Sequence, residues 1–274
     1  MKIGAVSDHR SREGGAIVYP VYSRRSRGLS VGINLFPDRK RCSFNCPYCE
    51  VFPFAADIAF SVDVMKTALA SCLREAEANT VKDICFSGNG EPTLSPEFPE
   101  ALKAAKALRD ELAANAKLVL ITNGTGLLDD KTFSFLAAAA KDLEIWLKLD
   151  AGTEAWYREI DRSDIPFEHI IEKIKAFAAL GAPFTLQTMM CNVKGAPPPP
   201  EEEAAWLELA AALAGLSRKA GAGIRAVQIY GKVRPAPEDP LAEAAPREAL
   251  DRRAALLNEM LKRAGNTTRV EVFY

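Results

Sequence analysis

The segment RCSFNCPYC, Arg41 to Cys49, places three of the chain's six cysteines within eight residues, at Cys42, Cys46 and Cys49. Thiolates are soft ligands, so such a triplet reads first as a metal site. Structural zinc usually takes four ligands in two close pairs. Here there is no second Cys-x2-Cys, and the only histidines are His9 and His169, so zinc is disfavoured. Three thiolates can instead hold three irons of a 4Fe-4S cube and leave the fourth iron free to bind a small molecule, whereas electron-transfer ferredoxins use four. The other cysteines are far apart in sequence and form no disulfide framework. Cys72 falls in a helical pattern and Cys85 in a strand pattern, and both read as core. Cys191 follows the end of a strand pattern in MMCNVKG, which makes it a candidate to face a site as a thiol or hydrogen donor.

A second constellation is SGNGEP, residues 87 to 92. Glycines such as Gly88 and Gly90 let backbone carbonyls come close to a ligand. A carboxylate such as Glu91 suits a bound ammonium. Taken alone, Gly88-Asn89-Gly90 is an ordinary turn.

These motifs need elements to position them. Short apolar runs at 29–36, 82–88, 117–123, 143–150, 183–190, 224–231 and 268–274 read as strands, and alanine-rich amphipathic stretches between them read as helices. A repeated βα order implies right-handed crossovers and a parallel sheet. No G-x-G-x-x-G follows the first strand, which leaves a Rossmann-like sheet as the runner-up. Strands of a parallel barrel are buried on both faces and should be apolar throughout, yet several here are not. Alternation puts Trp146, Lys148 and Asp150 on one face, pairs Thr185 with Gln187 and Gln228 with Tyr230, and leaves Asn34 on the first strand. The motif-bearing loops, including TNGTG, DAGTE and GKVRPAPEDP, all follow strand C-termini, the end at which α/β barrels collect functional groups. The loop GAPPPPEEE ends on acidic residues at a helix start, where the helix dipole favours them.

With 274 residues, 48% of them hydrophobic, the chain can bury a full core, and a single domain is expected. The segment from Met1 to Arg41 holds nine Lys and Arg residues against three Asp and Glu, although the whole chain carries a net charge of -1. This local cation is either a solvated arm or the border of an anionic cofactor or substrate. Arg39, Lys40 and Arg41 adjoin Cys42 and could ease electron entry into a cluster. Arg24, Arg25 and Arg27 could meet a phosphate or carboxylate. The sequence shows neither a signal-peptide pattern nor an eighteen-residue apolar run, so a cytoplasmic location without membrane contact is expected.

On the Cys-x3-Cys-x2-Cys spacing, Tyr48 before the last cysteine and the GNGEP segment, the chain resembles the radical S-adenosylmethionine (SAM) superfamily. The resemblance implies an α/β fold, a partial (β/α)6 TIM-like barrel over residues 29–274, preceded by a basic N-terminal extension over 1–28 and closed by a C-terminal strand. It implies one 4Fe-4S cluster on Cys42, Cys46 and Cys49, with SAM on the open iron. Reductive cleavage would then give methionine and a 5'-deoxyadenosyl radical that takes hydrogen from substrate. Family members carry a Gly-Gly-Glu-Pro-like segment that holds the SAM amino group. By that likeness Gly88, Asn89, Gly90 and Glu91 are cofactor-binding, with Asn89 standing where the family has glycine. Tyr48 and Gln187 are further candidates to line the cofactor site, Thr122 and Asn123 are candidates for the ribose or adenine side, and Arg234 for the open side. Lys148 and Asp150 are candidates for the SAM carboxylate and ribose or for catalysis on substrate, and Cys191 for catalysis. The stretch from Tyr19 to Pro237 is similar to the Fe-S oxidoreductase branch related to tRNA wyosine synthases, but residues 1–41 lack the cysteines of their second cluster.

Two function classes follow. The first is a radical SAM enzyme acting on an unidentified small-molecule or protein substrate, with an electron donor such as flavodoxin or ferredoxin. RNA modification and glycyl-radical activation are the alternatives within that class, and a pI near 6.2 weighs against a tRNA partner. The second is a non-catalytic iron-sulfur or zinc-binding protein, in which GNGEP and the polar strand face would have nothing to do.

Overall fold

The structure is a computed structural model that describes residues 16–76, 80–221 and 223–274. Lys2, Asp8, His9, Arg10, Arg12 and Glu13 of the expected N-terminal extension therefore lie outside the described residues. The chain divides into two compact units, one comprising the residues through Cys42 with Val51–Thr122, the other Ser43–Glu50 with Asn123–Tyr274.

In the first unit, β1 (Val18–Ser23) runs antiparallel to β2 (Gly28–Ile33), and β3 (Val81–Phe86) and β4 (Lys117–Thr122) follow in parallel. Strand β1 lies inside the expected extension. Its Pro20 cannot donate to a ladder, which weakens a strand pattern in sequence and suits an edge position in the sheet. Ser23 to Gly28, with the three arginines, form the hairpin turn, with Arg27 at φ 55 and its N–H donating to Arg24 O at 3.2 Å. Helices α1 (Val62–Glu75) and α2 (Phe98–Leu112) bury one stripe each, Met65, Leu69 and Leu73 in the first and Phe98, Leu102 and Ala105 in the second. Ser61 caps α1 and accepts from Val64 N at 3.5 Å.

The second unit holds β5 (Leu143–Lys148), β6 (Phe184–Val193), β7 (Ala226–Gly231) and β9 (Arg269–Phe273), paired in parallel in that order. A short strand, β8 (Ala242–Ala244), pairs antiparallel with the far end of β6. Helices α3 (Asp130–Ala139), α4 (Glu154–Ile160), α5 (Phe167–Ala179), α6 (Pro200–Lys219) and α7 (Arg247–Arg263) complete it. Among the described residues, no helix is long and apolar enough to cross a membrane.

Two features differ from the sequence expectation. Strand β6 does not end at Met190: pairing with β8 extends it, so Cys191 sits inside the strand opposite Ala244, 1% exposed, and not in a loop beyond it. At the start of α6, Glu202 does not face solvent. Its carboxylate is buried and accepts from Gly152 N at 2.6 Å, Thr153 N at 2.8 Å and Thr153 Oγ1 at 2.6 Å. Burial raises its pKa, while these donors act to lower it. Trp206 on the same helix donates from Nε1 to Leu149 O at 2.9 Å, and the Arg253 guanidinium stacks over its ring. The chain just after β5 is thus held by α6. Removing Glu202 as Glu202→Ala leaves three part-buried donors without their acceptor and is expected to cost about 2 kcal/mol, read as a lower urea midpoint.

Candidate functional site

The stretch leading to the first cysteine is stitched to GNGEP by main-chain bonds. Arg41 N donates to Asn89 O at 2.9 Å, and Glu91 N donates to Arg41 O at 2.8 Å, forming a parallel bridge between Arg41 and Gly90. Only glycine fits there, because a Cβ on residue 90 would stand 1.8 Å from Arg41 O. Gly88 adopts φ 117, a conformation open to glycine. Asn89 has its own task, since its amide Nδ2 donates to Phe36 O at 3.1 Å. Asn34, just past β2, accepts from both Phe36 N at 3.1 Å and Asn89 N at 3.2 Å.

Glu91 is buried. Its Oε1 accepts from Thr93 N at 3.1 Å, Thr93 Oγ1 at 2.7 Å and Thr122 Oγ1 at 2.7 Å. Thr122, at the tip of β4, therefore meets this carboxylate.

In the second unit, the segment between the cysteines is held from two sides. Asn123 donates from Nδ2 to Ser43 Oγ at 2.9 Å, and Ser43 Oγ also bonds Thr125 Oγ1 at 2.6 Å. Asn123 Oδ1 accepts from Thr125 N at 3.0 Å and Thr125 Oγ1 at 2.8 Å. From beyond α4, Asp161 O accepts from Asn45 N at 2.9 Å, and Ser163 Oγ donates to Ser43 O at 3.0 Å. Phe44 meets Tyr157 edge-on at 5.6 Å. Cys49 N donates to Cys46 O at 3.0 Å, closing a turn over Cys-x2-Cys.

Lys148, at the end of β5, lies at the centre of a buried charged cluster. Its Nζ is 2.7 Å from Asp161 Oδ1, 3.0 Å from Asp150 Oδ2 and 3.0 Å from Cys46 Sγ, and it also donates to the Tyr48 hydroxyl. Tyr48 donates to Asp150 Oδ2, and Asp150 Oδ1 accepts from Met189 N at 2.8 Å. Burial works against the Lys148 ammonium, and the carboxylates of Asp150 and Asp161 together overcome it, keeping the lysine charged. Burial pushes Asp161 up to about 7, with Lys148 pulling it down and Asp150 pushing it further up. Two carboxylates share one ammonium here, so the second negative charge is only partly compensated. Burial also pushes the Cys46 thiol up to about 12, and Lys148 opposes this. Tyr48 is raised well above its usual value by burial and by Asp150.

The remaining expected residues have the following partners. Gln187 donates from Nε2 to Gln228 Oε1 at 2.6 Å, a buried pair across β6 and β7. Arg234 reaches Glu50, the neighbour of Cys49, with Nη1 at 2.9 Å from both carboxylate oxygens. Burial raises the Cys191 thiol to about 12, which keeps it an uncharged strand residue. Sequence reading missed Asp161, Ser43, Ser163 and Glu50. Asp161 carries a weak signal, as a charged residue directly after the apolar end of α4.

The donor set fits an iron-sulfur cluster, because none of Cys42, Cys46 and Cys49 is in a disulfide and hydrogen bonds hold the segments that carry them. Among the described residues, no group of three or more His, Cys, Asp and Glu side chains is gathered as around a single ion. A cluster spreads its thiolates over different irons.

The family model described as the Radical SAM superfamily matches residues 39–196. A UPF0026 protein of Helicobacter pylori (strain ATCC 700392 / 26695) is 31% identical over 170 residues, covering 60% of this chain and 51% of that protein. A UPF0026 protein of Synechocystis sp. is 32% identical over 170 residues, 59% of each. The chain thus spans about half the length of the curated relatives it matches. Among solved structures, Streptococcus suis SuiB bound to precursor peptide SuiA superposes with a TM-score of 0.63 at 15% identity, covering 88% of this chain and 48% of SuiB. Native anSMEcpe with bound AdoMet and Cp18Cys peptide gives 0.56 at 16% identity, covering 89% and 62%. These likenesses show the expected α/β partial-barrel fold.

The close approach at Gly90 sets a test. Gly90→Ala must push Arg41 O away, an overpacking expected to cost about 3 kcal/mol and to lower iron uptake on reconstitution. Cys191→Ala should leave iron uptake unchanged, as read by iron and sulfide assay.

Proposed function

Since this chain belongs to the radical SAM superfamily and is an enzyme, we propose that it binds one 4Fe-4S cluster through Cys42, Cys46 and Cys49, and SAM at the iron that carries no cysteine. When bound, the reduced cluster supplies the electron that breaks a sulfur-carbon bond of SAM, leaving methionine and a 5'-deoxyadenosyl radical to take hydrogen from substrate. The observation that carries the reading is the Arg41–Gly90 bridge, which joins the residue before the first cysteine to the GNGEP backbone.

In this reading the backbone of the Gly88–Glu91 segment receives the SAM amino group. Glu91 serves that segment by fixing Thr93 and Thr122. Asn123 and Thr125 hold Ser43, and so the start of the intercysteine loop, in place. Tyr48, Asp150 and Lys148 stand beside the second cysteine, and Arg234 fixes Glu50 after the third. Gln187 closes the polar side of β6 against Gln228. The substrate is a small molecule or a protein segment, and a reduced flavodoxin or ferredoxin supplies the electron.

Anaerobic reconstitution with iron and sulfide tests the assignment. The wild-type chain should take up about four irons with broad visible sulfur-to-iron absorption, and Cys42→Ala, Cys46→Ala and Cys49→Ala should each lose it. Full cluster absorption retained in Cys46→Ala would remove that cysteine as a ligand.

A further inference from the structure

We propose that Lys148 tunes the cluster through its second cysteine: the ammonium donates a charge-assisted hydrogen bond to Cys46 Sγ, and the nearby Asp161 carboxylate opposes its charge. The inference rests on the reading above that Cys46 binds iron.

Lys148 is placed for this by more than its position on β5. Its Nζ stands 3.0 Å from Cys46 Sγ while the aromatic faces of Phe44 and Tyr48, both in the cysteine loop, lie 5.2 and 4.7 Å away. A cation over two such faces is further stabilised in place. Asp161 grips both partners at once. Its main-chain oxygen takes Asn45 N at 2.9 Å, inside the cysteine loop, and its carboxylate takes the lysine at 2.7 Å. All three side chains are nearly sealed from solvent, with Lys148 12%, Asp150 0% and Asp161 4% exposed. In such surroundings a charge is weakly screened, and its effect on a neighbouring thiolate is large.

The consequence has a sign. A positive charge and an N–H donor at a cluster sulfur favour the state with the extra electron, so they raise the reduction potential. Asp161 acts in the opposite sense, with its carboxylate 3.9 Å from the same sulfur. A role limited to holding the loop in shape has no reason to give opposite shifts for the two residues.

The experiment is a redox titration of the reconstituted full chain, followed by the paramagnetic resonance of the reduced cluster, at mildly alkaline pH. Relative to wild type, Lys148→Met should give a more negative midpoint, Lys148→Arg should stay near wild type, and Asp161→Asn should give a less negative midpoint. An unchanged midpoint in cluster-loaded Lys148→Met, or shifts of the same sign in Lys148→Met and Asp161→Asn, would overturn the proposal. If Lys148→Met takes up no iron, the polar but uncharged Lys148→Gln decides: a more negative midpoint than wild type supports the proposal and an unchanged one overturns it. A wild-type chain that takes up no cluster would instead bring down the assignment of Cys46 to iron.

Discussion

Ordering the backbone of a cysteine-bearing segment costs roughly 1–2 kcal/mol per residue, and hydrogen bonds from each of the two units offset that loss. The strand-like bridge from Arg41 to Gly90 fixes the approach to Cys42. Ser43 is held by Asn123 and Thr125, Asn45 by the main chain of Asp161, and the Cys46–Cys49 turn by its own hydrogen bond. Most of these contacts use main-chain atoms or short polar side chains from loops that follow the strands of the respective unit.

The buried charges follow from the same arrangement. Lys148 leaves the end of β5 pointing at the cysteine loop, and a buried ammonium is costly unless paired. Asp150 and Asp161 supply the pairing, and Tyr48 and Met189 N complete the hydrogen bonds of Asp150. The segment carrying Asp150 is itself secured by Glu202 and Trp206 from α6, so a helix distant in sequence steadies the chain beside the cysteines.

Much of this was legible in the sequence because periodicity is local. All seven strand patterns appear as strands, and the Lys148–Asp150 pair emerged from alternation alone. Strand β1 was hidden by Pro20, and β8 by its three-residue length. Helices α3 and α4 are short, ten and seven residues long. Asn89 looked like a departure from a glycine-rich motif, and only the folded chain reveals that its amide holds Phe36 O. Glu202 looked like a helix-dipole residue because sequence gives its position at a helix start but not the direction in which that turn faces. Asp161 is more than a hundred residues from Cys46, a separation across which no spacing rule operates.

Whether the cluster-loaded chain breaks SAM is the most direct test of the proposed chemistry. The measurement is to reduce the reconstituted chain under anaerobic conditions in the presence of SAM and to quantify 5'-deoxyadenosine and methionine. Both should appear in equal amounts and only when cluster and reductant are present. A fully loaded, reduced chain that leaves SAM intact, or that yields a different SAM fragment, would contradict that chemistry.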